Sequence, residues 1–137
     1  MNVVIAGSTE TPLTSIGKVL EILIQEMSRN NPKPPRILLR RGLHSAISPF
    51  EAYVAELARL SGLEVQWCYP DRRGGREGTY VRDAHMVQMA DHVIAFFTPE
   101  TLMAGGTGHV VQKALDKEIP VSAYEVDEDG LRWVGGG

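Results

Sequence analysis

Apolar residues in this chain fall into short continuous runs, separated by stretches in which they recur every three or four positions. The first run, Val3-Val4-Ile5-Ala6, is β-branched and ends in the turn-type cluster Gly7-Ser8-Thr9-Glu10-Thr11. A continuous apolar strand of this kind fits a parallel sheet covered on both faces. From about Pro12, the residues Leu13, Ile16, Leu20, Leu23, Ile24 and Met27 share one helical face, and Pro32, Pro34 and Pro35 cannot continue it. The pattern then repeats. A strand at Ile37-Leu38-Leu39 leads through a basic loop, Arg40 to His44, to a helix with Ser48 as N-cap, Pro49 in its first turn and Glu51 completing a capping box. Phe50, Val54, Leu57 and Ala58 give that helix its buried stripe, and Gly62 stops it.

Strand Val65-Gln66-Trp67-Cys68-Tyr69 runs into a polar loop from Pro70 to Gly78, then a helix from about Thr79 to Ala90 and a strand at Val93-Ile94-Ala95-Phe96-Phe97. The loop from Thr98 to Gly106 precedes a helix around Thr107 to Lys117, and Val121 to Val126 is the last parallel strand. Asp127-Glu128-Asp129-Gly130 reads as a turn, so Leu131-Arg132-Trp133 is expected as a short antiparallel edge, with Gly135-Gly136-Gly137 as a frayed tail. Five strands alternating with four helices predict an α/β, Rossmann-like, doubly wound parallel sheet of order 3-2-1-4-5 with helices on both faces. Residues 1–137 form one such domain in this reading. Ligands of these sheets bind beyond the carboxyl ends of the strands, where the strand order reverses. Here that is between the first strand and the fourth.

Composition narrows the function. The 137 residues are 43% hydrophobic and 23% charged, with 14 basic and 17 acidic side chains, net −3. This balance argues against a nucleic-acid or membrane-surface binder, both of which usually carry a basic excess. No apolar stretch approaches a membrane span and no charged region precedes the first apolar run, so a cytoplasmic location is expected. The lone Cys68 excludes an internal disulfide. His44, His85, His92 and His109 lack metal-ligand spacing. Neither a metal nor a cofactor is expected.

Candidate chemistry concentrates in two loops and one helix. Gly105, Gly106, Thr107 and Gly108 lie between an apolar strand and a helix, where small residues admit a ligand and free N–H groups attract an anion. Gly7, Ser8 and Thr9 flank the other side of the expected crevice, as an anion contact or as a helix cap. Arg82 shares a helical face with His85, Met86 and Met89, and suits bidentate recognition of phosphate, or else pairs with a nearby acid. The loop arginines Arg72, Arg73 and Arg76 are solvated, or close over an anion.

Together these residues resemble the SLOG superfamily of Rossmann-like nucleotide-binding proteins, which includes LOG-type nucleotide phosphoribohydrolases and DprA-like domains. The resemblance rests on the strand ending in Gly7-Ser8, on Leu39-Arg40-Arg41-Gly42-Leu43-His44-Ser45-Ala46, on Arg82 to Val87 running into Ala90 to Phe96, and on Gly105-Gly106-Thr107 running into Ala114 and Ile119-Pro120-Val121. It implies a nucleotide site including Gly42 and His44, with Arg82, Gly106 and Thr107 matching the LOG-type pattern. The glutamate expected three residues after Thr107 is absent, Val110 standing in its place, and Asp83, His109 or Glu10 would have to substitute. Three functions follow. The first is a small binding protein for a phosphorylated nucleoside or related anion, acting as sensor or sequestering module. The second is an enzyme cleaving or transferring a nucleotide's N-glycosidic bond. The third is a ligand-free interaction domain, for which sheet edges and short helices would permit a homo-oligomer.

Overall fold

The structure, a computed structural model, describes residues 1–7, 13–29, 33–41, 47–70, 75–98, 105–127 and 130–136. Along the chain come β1 (Asn2–Gly7), α1 (Leu13–Arg29), β2 (Arg36–Arg40), α2 (Pro49–Leu60), β3 (Val65–Cys68), α3 (Gly75–Met89), β4 (His92–Phe97), α4 (Gly105–Asp116), β5 (Val121–Asp127) and β6 (Gly130–Gly136). The sheet order is β3-β2-β1-β4-β5-β6. Its first five strands are parallel in the expected order 3-2-1-4-5, and β6 adds an antiparallel edge.

Central β1 sets the register, with Val4 level with Leu38 of β2 and Val93 of β4. Its near-unbroken apolar sequence follows from burial on both faces. On one face α3 and α4 pack Met86, Val87, Val110, Val111 and Ala114 against Val4, Leu38, Val93 and Ala95. On the other, α1 and α2 pack Leu20, Ile24, Phe50, Val54 and Ala58 against Val3, Ile5, Ile37, Leu39 and Phe96. No described helix is long and apolar enough to cross a membrane.

Three expectations change. Helix α3 begins at Gly75, inside the stretch that composition marks as loop. Glycine's poor intrinsic helicity hides this start, which tertiary context overrides. Gly135 and Gly136 are not a frayed tail but pair with Ala123 and Ser122 of β5. The mixed face on α3 also divides, because Met86 is fully buried whereas His85 and Met89 are exposed.

Candidate functional site

The carboxyl ends of β1, β2 and β4 meet the amino ends of α2 and α4. A β-carbon on Gly7 would lie 2.7 Å from the Phe50 ring, so only glycine lets the end of β1 approach the first turn of α2 this closely. That turn is capped as the sequence implies. The Glu51 N–H donates to Ser48 Oγ at 3.2 Å, and the Ser48 hydroxyl donates back to the Glu51 carboxylate. The capping box thereby buries Glu51 with its other oxygen, Oε1, directed at Arg40.

Arg40 is the last residue of β2 and ties three elements together. Its Nη2 donates to the Gly7 carbonyl at 2.8 Å and to Thr107 Oγ1 at 3.0 Å, and lies 3.4 Å from Glu51 Oε1. Burial pushes the guanidinium below its ordinary pKa, with Arg82 adding to the effect and the attraction of Glu51 and Asp83 opposing it. Among the described residues its Nε is buried with no hydrogen-bond partner. Arg40 is thus spent on the fold and holds the crevice floor in place.

A second polar group joins α3 to α4. Asp83, only 1% exposed, accepts from Arg82 Nε at 3.0 Å and from His109 Nδ1 at 3.0 Å. Because an ionised carboxylate only accepts, the proton of neutral His109 sits on Nδ1 and leaves Nε2 as the basic nitrogen. Tyr80 stacks on the imidazole with ring centres 4.1 Å apart. Burial pushes the neighbouring Cys68 thiol up, with Arg82 working against that rise and Asp83 adding to it. A raised thiol is a poor nucleophile at neutral pH.

Helix α4 opens at Gly105, whose φ of +66° lies in the left-handed region that side-chain-bearing residues rarely adopt. Gly105 and Gly106 are exposed, whereas Thr107 and Gly108 are buried. A β-carbon on Gly106 would stand 3.1 Å from Arg40 Nη1, so the helix start rests almost directly on that guanidinium. The arrangement offers backbone N–H groups and a helix dipole to an anion, above a buried cation.

Of the residues expected at the site, the structure brings Gly7, Arg82, Gly105, Gly106, Thr107 and Gly108 to this edge. Ser8, Thr9, Gly42, His44, Glu10, Arg72 and Arg73 lie outside the described residues. Thr107 gives its oxygen to Arg40 and is 3% exposed, which fits a supporting role for this side chain. Arg82 takes up the paired alternative, its partner being the next residue along the helix. Val110 is fully buried in the apolar core between α4 and the sheet. A glutamate there would enter the core without a partner, so position 110 is not where this fold would carry a catalytic carboxylate. Sequence reasoning missed the ion pair of Arg40 with Glu51 and the stacked Tyr80. The capping box was the available signal for Glu51, since it fixes that carboxylate at the mouth of α2. Among the described residues, no cluster of three His, Cys, Asp or Glu side chains is placed to hold a metal ion. No protein-family model, curated protein or solved structure matches the chain.

Proposed function

We propose that the protein binds a phosphorylated nucleoside or closely related anion, with its phosphate at the amino end of α4. The observation that carries this reading is the exposed Gly105-Gly106 helix start, set over buried Arg40 at the reversal of strand order. The resemblance to SLOG proteins supports the same ligand class. In this reading the protein is a cytoplasmic sensor or sequestering module, as a monomer or a homo-oligomer.

Calorimetry against nucleoside mono-, di- and triphosphates, cyclic nucleotides and ADP-ribose tests it, with one ligand per chain expected. Arg82 is committed to Asp83, so Arg82→Ala should leave phosphate affinity near the parent's, whereas Gly106→Asp, which sets a negative charge at the helix start, should weaken it about tenfold. A flat response across the panel would favour the ligand-free interaction domain.

A second reading draws on Asp83 and His109. A buried carboxylate holding Nδ1 directs a histidine to work through Nε2 as a general base. Activated water attacking the anomeric carbon would form a C–O bond as the N-glycosidic bond breaks, with the proton passing to the departing base. Free base released from AMP, CMP or GMP, and lost in His109→Gln, would establish this activity. Binding without release leaves the sensor reading in place.

A further inference from the structure

Helices α3 and α4 each follow a parallel strand, so both begin at the carboxyl edge of the sheet and run back along the same face. Arg40 lies under the start of α4, its side chain 12% exposed and its Nε without a hydrogen-bond partner among the described residues. His109 follows Gly105 by four residues and Gly106 by three, which puts it on their side of α4. Helical side chains lean toward their own amino end, so the imidazole stands beside that exposed glycine start. Tyr80 and Asp83, three positions apart on α3, both reach this ring. Asp83 holds Nδ1, and Tyr80 stacks on the ring face with centres 4.1 Å apart. Asp83 is 1% exposed and Tyr80 43%, so the carboxylate closes the inner end of the contact and the phenol forms its open, outer end.

The Tyr80 ring gives one face to His109 and keeps solvent-exposed area that the phosphate anchor does not use. Planar heterocycles stack on such a ring, because it offers them wide contact at little conformational cost. The spacing also fits. His109 stands about one helical turn, about 5.4 Å, from the helix start. A single ribose spans a comparable length between a phosphate and a base. We infer that Tyr80, braced by His109, is a nucleobase-stacking platform for the ligand anchored at the start of α4. This inference rests on the phosphate anchor proposed above and names the half of the ligand which that anchor leaves unread. The protein thus selects nucleoside phosphates over bare sugar phosphates. Stacking is tolerant of base identity, so the four common bases should bind with similar strength.

The test compares AMP, GMP, CMP and UMP with ribose 5-phosphate and inorganic phosphate by calorimetry on the full chain. Nucleoside monophosphates should bind about 5- to 150-fold more tightly than ribose 5-phosphate. Tyr80→Ala should remove most of that advantage while ribose 5-phosphate affinity stays near the parent's. Tyr80→Phe, which keeps the ring, should retain the advantage. Tyr80→Leu, which keeps apolar bulk over His109 but no flat ring, should match Tyr80→Ala with a melting temperature near the parent's. An advantage that survives in Tyr80→Ala, or equal binding of AMP and ribose 5-phosphate by the parent, would overturn the platform while leaving the phosphate anchor standing. So would an equal loss for every ligand in Tyr80→Ala. Failure of every phosphate compound to bind would remove the anchor, and the platform with it.

Discussion

At the amino end of the sheet, Arg36 Nε stands 3.4 Å from a Glu64 oxygen, with the two side chains 43% and 69% exposed. At the carboxyl end, Arg40 Nη2 stands at the same 3.4 Å from Glu51, with the side chains 12% and 6% exposed. Both arginines belong to β2, and both partners are glutamates from neighbouring segments. In water such a pair gains little, because solvent screens the charges and two long side chains must be ordered. In the interior each charge has lost its hydration and depends on its partner, so the pair makes a weak case for stability but a costly one to break. The Asn2 contacts at this end are also wet, its N–H and side-chain amide donating to Asp91 and to the Met89 carbonyl. Of these two pairs, the one with both side chains largely withdrawn from water lies at the end where the strand order reverses.

The largest effect expected from this contrast is for Glu51→Ala, which leaves Arg40 buried and unpaired at a cost of roughly 3–5 kcal/mol. Denaturant unfolding reads it. A loss below about 1 kcal/mol would mean the two pairs are equivalent, since that is the scale of an exposed pair. Thr107→Val comes next. It keeps the shape but removes the oxygen that accepts from Arg40, and should cost about 1–3 kcal/mol in the same measurement.

Glu64→Gln at the amino end should change stability by no more than about 1 kcal/mol, and half-molar salt should erase what difference there is. A larger, salt-insensitive loss would show that the amino end also relies on charge. The smallest effect is a pH dependence from His92, hydrogen-bonded to Ser122 at the start of β4. Burial lowers its pKa below the ordinary 6.5, so the folded protein favours the neutral ring. As pH falls below about 6.5 the unfolded chain takes up the proton first and stability declines; above that value the effect is absent. The melting temperature of His92→Gln should fall less than the parent's between pH 7 and 5.5, and parallel curves would remove His92 from the account.

The contrast between the two ends was only half legible in the sequence. Strand order followed from alternating apolar runs and helical faces, and Ser48 and Glu51 pair as expected, except that Glu51 returns to the Ser48 hydroxyl rather than to its backbone N–H. Arg40 and Arg41 read together as the start of a basic loop because the apolar run of β2 ends at Leu39. In a strand, neighbours point to opposite faces, and this sends Arg40 toward α4 while Arg41 meets Trp67 and Tyr69. Composition carries no record of that division. The dyad of Asp83 with His109 was named residue by residue, but its pairing joins two helices 26 positions apart and needed the packed fold to appear.

Arg40 also bears on how the chain assembles. Its hydrogen bonds reach back 33 residues to Gly7 and forward 67 to Thr107. Contacts so distant in sequence form only after the long intervening loops have been closed, an entropic cost that slows folding. Until β1, β2 and α4 have met, the guanidinium remains hydrated and nothing draws it inward. Completion of the sheet and completion of the crevice floor are therefore one event, and a folding intermediate lacking α4 has no formed site to offer a ligand.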